Sequence, residues 1–320
     1  MKRSRGEYIA KRLFFAFVTV FVIVTLNFFL FRLVPGSPLN RLAGPRASVE
    51  DRNRLRQEFG LDDSVFKQYT AYLNQVAHGN LGLSYRNSEP VVSVVWDKLK
   101  ISIPMVLLGE AFAISFGIIT GVIAAARRRT WFDRGSTTAA LIFYSFPTQW
   151  FGMMMILFFA PPFPSGGRTD FFASYTGVAY LLDVLKHMVL PSLTLGLVLY
   201  GEYTLIVRSA MLESLGEDYV LTARAKGLPR RRIIWRHAFR NALLPVVTLI
   251  ALSLAYVVAG SVLVETVFSW PGIGYDFYNA VFADDWPVMQ AILLVLTLFV
   301  VFGNLIADLL LFKLDPRITE

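Results

Sequence analysis

Hydrophobic residues in this chain are concentrated in long runs separated by polar segments. The runs of about twenty residues or more cover residues 13–34, 101–126, 137–160, 188–207, 244–263 and 288–312. About 20 apolar residues are enough for an α-helix to cross the hydrocarbon core of a bilayer. The pattern therefore predicts an all-α integral membrane protein with six transmembrane helices, the last five forming a core bundle over residues 101–312.

The distribution of charge predicts how these helices are oriented. Residues 1–12 are rich in Lys and Arg, whereas residues 265–287 carry four acidic residues and no Lys or Arg. Cationic segments stay on the cytoplasmic side of a membrane, so we expect residues 1–12 and 313–320 to lie in the cytoplasm. Residues 35–99 then form an extracytoplasmic subdomain, with amphipathic helical patterns over residues 48–60 and 65–79.

Composition narrows the class of protein further. The net charge of +8 is typical of nucleic-acid binders, but the cations here lie beside the apolar runs, where topology and lipid headgroups explain them. Mean hydropathy is +0.52 and only 17% of residues are charged. The absence of Cys excludes disulfides, thiol chemistry and Cys-ligated metals.

No catalytic or cofactor site is visible in the sequence. A GxxxxGK[ST] loop for ATP is absent, and so is a GxSxG nucleophile motif. The three histidines, His78, His187 and His237, are too scattered to form a zinc motif. We therefore expect no enzyme activity and no bound metal. Uphill transport would need either an ion gradient or an energy-supplying partner.

The segment over residues 213–245 is the most strongly patterned polar part of the chain. It holds seven cations and three acidic residues, with apolar residues at three- and four-residue steps that predict short amphipathic helices. Gly227 can end one helix in the left-handed conformation, and Pro229 can open the next. Such a cytoplasmic helix–turn–helix fits a docking element, and a basic loop resting on anionic lipid is the alternative.

The run DYVLTARAKGLPRRRIIWRHAFRNALLP, from Asp218 to Pro245, resembles the cytoplasmic loop of ABC-importer permease subunits. The resemblance is closest to the B-type permeases of the dipeptide/oligopeptide/nickel branch, and it extends over nearly the whole chain. Leu221 and Thr222 stand where many importers have Glu-Ala. In that family a short coupling helix of this loop enters a cleft of the ATPase.

The resemblance implies a bacterial cytoplasmic (inner) membrane protein that forms half of a translocation pathway for di- or oligopeptides. The implied partners are a second similar permease, two ATPases that bind ATP and Mg, and an extracytoplasmic substrate-binding protein. Nickel chelates and glutathione are alternative substrates. From the residues alone, a stand-alone secondary transporter and a channel are further possibilities.

Two sets of residues are candidates for these roles. The coupling loop spans residues 208–243, and its candidate ATPase-coupling residues are Glu217, Asp218, Ala223, Arg224, Ala225, Lys226, Gly227, Leu228 and Arg231. Acidic residues inside membrane helices are functional candidates by default, and aromatic residues near a Pro-Gly turn are candidate gates. The resulting pathway or gate candidates are Glu110, Glu202, Phe268, Trp270 and Ile273. For each of these five, plain helix packing is the alternative.

Overall fold

The computed structural model of the chain describes residues 5–33 and 63–314, most of which are helical. The helices are α1 (Arg5–Leu33), α2 (Val65–Ala77), α3 (Val91–Ala126), α4 (Trp131–Ser145), α5 (Thr148–Phe159), α6 (Gly177–Leu215), α7 (Asp218–Ala225), α8 (Arg230–Arg232), α9 (Phe239–Val267), α10 (Ile273–Ala283) and α11 (Trp286–Leu314). A π-helix, Ile233–Ala238, joins α8 to α9. No β-strand occurs in these ranges, and the predicted all-α class is confirmed.

Four of the described helices, α1, α3, α6 and α11, are long and apolar enough to cross a membrane. A fifth span results if α4 and α5 count as one, although these two helices meet at an angle of 108°. The remaining predicted span, over residues 244–263, lies on α9. The membrane class is thus confirmed, and the count of six spans stays a prediction.

Several helices are longer than the apolar runs that predict them. α3 starts at Val91, so residues 91–99, which are predicted to lie in the extracytoplasmic subdomain, form the first turns of this helix. α6 has 39 residues, about twice the length of its apolar run. α1 starts at Arg5, within the predicted tail of residues 1–12. Helix propagation past the apolar run needs only backbone hydrogen bonds, which polar residues form equally well.

Part of the predicted subdomain of residues 35–99 is described. The amphipathic run over residues 65–79 forms α2, and its N-cap Ser64 accepts a hydrogen bond from the backbone N–H of Lys67 at 3.4 Å. The predicted helix over residues 48–60 lies outside the described residues, as do residues 1–4 and 315–320.

Two prolines in the apolar runs have different effects. Pro147 is the N-cap of α5 and follows the end of α4, so the third apolar run is divided into two helices. Pro191 lies near the start of the fourth apolar run but well inside α6, because that helix begins at Gly177. A proline inside a helix removes one backbone hydrogen bond but does not end the helix when neighbouring helices support it.

The longest two helices, α3 and α6, run side by side and form the centre of the bundle. Glycines let them approach: a Cβ on Gly117 would lie 2.4 Å from the Cβ of Tyr203, and one on Gly121 would lie 2.7 Å from the Cβ of Val207. Small residues at helix crossings are the usual means of close packing in membranes. This crossing therefore fixes the register of α3 against α6.

The other helices pack around this pair, and the bundle has two distinct ends. The basic end carries Arg127–Arg129 and the loop of residues 208–243, and the acidic end carries α2, α10 and the turn between α10 and α11. α1 packs on α11, joined by an ion pair of 2.8 Å between Arg12 and Asp308. Asp308 is thus an interhelical contact near the basic end.

Candidate functional site

The loop at the basic end is a short helix held between two long ones. α6 ends at Leu215, and α7 runs from Asp218 to Ala225. Gly227 has φ +70°. The N–H of Leu228 donates to the carbonyl of Ala223 at 3.3 Å, and the N–H of Gly227 donates to the carbonyl of Arg224 at 2.9 Å. This pair of bonds is the Schellman motif. The predicted helix stop at Gly227 is confirmed.

One face of α7 is buried in the bundle. Val220 and Ala223 are almost completely buried, and they pack in a cluster with Val122 of α3 and with Val207 and Met211 of α6. Sequence reasoning placed Ala223 at a docking surface, but its methyl group points into the chain's own core. Ala223 therefore helps to pack α7 on the long helices, and its role in ATPase coupling stays a prediction.

The opposite face of α7 is exposed. Leu221 is 66% exposed, and Asp218, Thr222 and Ala225 lie beside it in solvent-accessible positions. The remaining coupling candidates are placed as follows: Glu217 is the exposed N-cap of α7, Arg224, Lys226, Gly227 and Arg231 are exposed, and Leu228 is half-buried. An exposed leucine among polar residues gives the loop an outward surface centred on α7.

Hydrogen bonds tie the loop to the long helices at both of its ends. Ser214, near the end of α6, donates to the carbonyl of Ala238 in the π-helix at 2.7 Å, and the hydroxyl of Tyr219 bonds to the Ser214 hydroxyl. The guanidinium of Arg230 donates to the carbonyl of Ala126, the last residue of α3. The loop that contains α7 is therefore hydrogen-bonded to the ends of α3 and α6 and to the π-helix that precedes α9.

An ion pair next to this loop was not predicted from the sequence. Arg208 of α6 donates two hydrogen bonds to the carboxylate of Asp133 in α4, at 2.6 and 3.1 Å, and the backbone N–H of Arg129 donates a third at 2.8 Å. Asp133 is only 3% exposed. Two-pronged arginine–carboxylate bonds fix geometry as well as adding attraction. The pair links the loop end of α6 to the start of α4.

The two acidic pathway candidates lie at the centre of the bundle. Glu110 of α3 is 1% exposed and accepts a hydrogen bond from the hydroxyl of Tyr203 of α6. Its other carboxyl oxygen has no partner among the described atoms. Glu202 precedes Tyr203 and is half-buried. The placement of Glu110 favours a bond between helices, and contact of either residue with substrate stays a prediction.

Replacement of Glu110 distinguishes a bond between helices from contact with substrate. We expect Glu110→Gln to leave the KM for transport unchanged, because an amide oxygen still accepts the Tyr203 hydrogen bond. Glu110→Leu should lower stability by about 1–3 kcal/mol, because the buried hydroxyl of Tyr203 loses its acceptor. Thermal unfolding of the purified protein measures this loss.

Tyr203→Phe is the control for this prediction, since it removes the same bond from the other side. The double variant should lose less than the sum of the single losses. A large rise in KM for Glu110→Gln at unchanged stability would instead place the carboxylate in the substrate pathway.

The three gate candidates follow α9 and are buried in the bundle. Phe268, Trp270 and Ile273 are each at most 1% exposed. The indole N–H of Trp270 donates to the carbonyl of Ile101 at 3.2 Å, and the backbone N–H of Ile273 donates to the hydroxyl of Ser102 at 2.8 Å. These residues pack on α3 in this conformation, which favours the packing alternative. Their role as a gate stays a prediction.

A buried carboxylate that sequence reasoning missed anchors this segment. Glu265 of α9 accepts hydrogen bonds from the backbone N–H groups of Gly274 and Tyr275, at 2.7 and 3.1 Å, and from the hydroxyl of Ser261 at 3.0 Å. The N–H groups at a helix N-terminus have no partner within the helix. Glu265 satisfies two of those of α10, and a Cβ on Gly272 would lie 2.6 Å from its carboxylate.

A second buried carboxylate anchors the segment before α3. Asp285 accepts hydrogen bonds from the Ser84 hydroxyl and from the backbone N–H of Tyr85 at 3.0 Å. Burial raises the pKa of Tyr85 to about 12, and the charge of Asp285 adds to the rise. Burial also raises the pKa of Asp276 in α10, and Lys98, 3.6 Å away, opposes that shift. At the acidic end, Asp285 and Asp276 therefore tie the turn after α10 and α10 itself to the segment before α3 and to α3.

Comparisons with known proteins cover the whole bundle. The family profile "Binding-protein-dependent transport system inner membrane component" matches residues 117–320, and the profile for the N-terminal part of such components matches residues 6–106. The chain is 37% identical to the di/tripeptide transport system permease protein DppB of Pseudomonas aeruginosa (strain UCBPP-PA14), over 98% of both chains.

Two further comparisons agree with this match. The chain is 33% identical to the oligopeptide transport system permease protein AppB of Bacillus subtilis (strain 168), over 98% of this chain and 99% of that one. A solved chain of the MetNI methionine ABC transporter, in an inward-facing form, is 20% identical with a TM-score of 0.57. It covers 71% of this chain and 99% of its own length. At that identity the structural match shows the fold alone.

Proposed function

The chain belongs to the family of inner-membrane components of binding-protein-dependent transport systems, and from this premise we propose that it is one transmembrane subunit of an ATP-driven importer of di- and oligopeptides. It forms half of the translocation pathway. The other half comes from a second, similar permease. Two ATPases and an extracytoplasmic substrate-binding protein complete the importer.

Energy for transport comes from the partner ATPases, which bind ATP and Mg. The sequence of this chain holds no GxxxxGK[ST] loop. Within the described ranges no three His, Cys, Asp or Glu side chains form a metal-binding group. The cation-rich loop over residues 213–245 lies on the cytoplasmic side, where the ATPases are, and both termini lie there too.

The exposed face of α7 is the observation that carries the proposal. Its Leu221 is 66% exposed, while Val220 and Ala223 hold the helix on the bundle. α7 docks in the ATPase through this outward face. A push on α7 reaches α6 and α9 through Ser214 and Tyr219, and it reaches α4 through Arg208. The helices then tilt as rigid bodies.

Replacing Leu221 by Asp tests this docking. We expect the variant chain to fold and to lose its ATPases on purification, because an unpaired carboxylate buried in an interface costs about 2–5 kcal/mol. This cost corresponds to a loss of affinity of more than about tenfold. The measurement is the amount of ATPase that co-purifies, together with ATP hydrolysis by the assembled importer.

Val65→Asp is the matched control. Val65 is 51% exposed at the start of α2, at the other end of the bundle, so the same kind of change there should leave ATPase binding intact. Full retention of the ATPases by Leu221→Asp would refute docking through α7. Transport without any ATPase would favour a secondary transporter or a channel.

Peptides are the proposed substrates because both relatives named above carry peptides according to their names. Nickel chelates and glutathione are the alternatives. The binding protein selects the ligand, so mass spectrometry of what it retains from a mixed pool separates these substrate classes. Retention of a nickel chelate or of glutathione, and of no peptide, would replace the peptide proposal.

A further inference from the structure

A cavity of about 470 Å³ lies between the coupling loop and the ends of the long helices, and we call it the loop cavity. Its lining comes from the end of α3, the end of α6, the turn after α7 and the π-helix. The lining residues are Ala126, Leu215, Arg224, Leu228, Arg230, Ile233 and Ile234. The cavity is large enough for part of a ligand of ordinary size. It lies behind the outward face of α7 that the proposed ATPase docking uses.

The lining of the loop cavity is amphipathic. Arg224 and Arg230 supply two guanidinium groups, and the other five residues supply apolar surface. Within the described ranges neither arginine forms an ion pair, although Glu213, Glu217 and Asp218 belong to the same loop. Arg230 uses one N–H group on the carbonyl of Ala126. Because an arginine has five N–H donors, both side chains still have donors for a ligand.

The chemistry of this lining selects a phosphate group attached to an apolar body. Guanidinium groups bind phosphate through paired hydrogen bonds. Leu215, Leu228 and Ile234 are half-buried, so the cavity gains free energy if an apolar group covers them. A free phosphate ion would use only the arginines.

The position of the loop cavity matches the headgroup layer of a membrane. Ala126, which lines the cavity, is the last residue of an apolar span, and Arg127–Arg129 follow it directly. Trp131 is 87% exposed and Phe132 is 41% exposed at the same end. Basic and aromatic residues together mark the interface between hydrocarbon and water. The cavity is therefore at the depth where phospholipid headgroups lie.

We propose that the loop cavity binds the headgroup of one anionic phospholipid, with its phosphate between Arg224 and Arg230 and its glycerol and upper acyl carbons on Leu215, Leu228 and Ile234. The lipid bridges the coupling loop and the end of α3. Only the choice of leaflet, the cytoplasmic one, rests on the proposed function. Basic pockets on that side of membrane proteins are suited to anionic headgroups.

Native mass spectrometry of the full chain tests this site. The protein is purified in mild detergent with phosphatidylglycerol and phosphatidylethanolamine in equal amounts, and bound lipid is counted. We expect one tightly held phosphatidylglycerol. The double variant Arg224→Gln with Arg230→Gln should hold it at least about tenfold more weakly, the loss that corresponds to about 1.4 kcal/mol.

Matched variants separate the site from the general charge of the loop. Arg232→Gln with Arg236→Gln removes the same charge from exposed positions outside the lining and should keep the lipid. Ala126→Leu narrows the cavity without altering a charge and should weaken lipid binding as well. The proposal would be overturned if the two arginine pairs lost lipid binding equally. It would also be overturned if lipid binding were unchanged both in Ala126→Leu and in the double variant of Arg224 and Arg230.

Two further outcomes identify a different occupant. Displacement of the lipid by an equal concentration of glycerol phosphate would mean that a soluble phosphate, and not the membrane, fills the cavity. Unchanged lipid binding together with loss of the ATPases in the Arg224 and Arg230 variant would assign the cavity to the ATPase interface. Lipid counting needs no ATPase, so failure of the lipid site and failure of ATPase docking through Leu221 are separate results.

Discussion

Replacing Gly201 by alanine is expected to destabilise the folded protein by about 3 kcal/mol or more, the upper range for inserting an atom into a packed core. Gly201 lies on α6 where α4 crosses it. A Cβ there would lie 2.3 Å from the carbonyl oxygen of Ala140 and 2.9 Å from the backbone nitrogen of Tyr144. Both atoms belong to the backbone of α4, so no side-chain rotation relieves the clash.

Gly260 offers the matched control for this substitution. It lies inside α9, and a Cβ there meets no atom within 4 Å. Gly260→Ala should therefore be neutral or stabilising by about 0.5–1 kcal/mol, the ordinary gain from replacing a helical glycine. Thermal unfolding in detergent and the yield of monodisperse protein measure both variants. Equal stability of the two would mean that α4 does not approach α6 as described.

Gly201→Ala is also expected to disturb the ion pair beside the coupling loop. The same crossing holds α4 beside α6, and the ion pair between Asp133 and Arg208 joins these helices near the basic end. A displaced α4 would strain this two-pronged bond, which depends on orientation. We therefore expect the variant to lose coupling of ATP hydrolysis to transport even in the fraction that folds.

Local signals in the sequence predicted the local parts of this structure. The apolar runs marked the long helices, because hydrocarbon requires continuous apolar surface. Gly227 predicted the end of α7, since the Schellman motif that ends a helix needs a residue with positive φ. Pro147 stands inside the third run, where a proline cannot continue a regular helix, and the two helices on either side of it meet at 108°.

Contacts between distant segments were beyond reach of the same reasoning. The pattern around Ala223 shows that α7 is amphipathic, but it does not say whether the apolar side faces the chain's own core or a partner. Arg208 and Asp133 are 75 positions apart, and nothing in the sequence pairs them. Glu265 was noted only as one of four acidic residues, because two of its partners are backbone N–H groups, which leave no trace in side-chain patterns.

The hydrogen bonds of Glu265 and the bond between Ser214 and Ala238 hold opposite ends of the same helix, α9. α9 begins at the π-helix, whose Ala238 bonds to Ser214, and it ends beside Glu265, whose carboxylate holds α10. α9 runs without interruption from one of these contacts to the other. The two anchors therefore connect the coupling loop to the segment that contains Phe268, Trp270 and Ile273.

Glu265→Ala is expected to have the second large effect, a loss of about 2–6 kcal/mol of stability, because two buried backbone N–H groups lose their acceptor. The substitution leaves the N–H groups of Gly274 and Tyr275 and the hydroxyl of Ser261 without this acceptor in a site that excludes water. Each buried unsatisfied donor costs about 1–3 kcal/mol. The N-terminus of α10 should then detach from α9.

Hydrogen exchange resolves this effect from a general loss of stability. The amides of Gly274 and Tyr275 should exchange faster in Glu265→Ala, while amides in the middle of α3 keep their protection if only the anchor is lost. Glu202→Ala is the control, because it removes a half-buried acid from α6 for which the described residues show no hydrogen bond. If Glu202→Ala destabilises the protein as much as Glu265→Ala does, the loss comes from removing any intramembrane acid, and the anchoring of α10 by Glu265 is refuted.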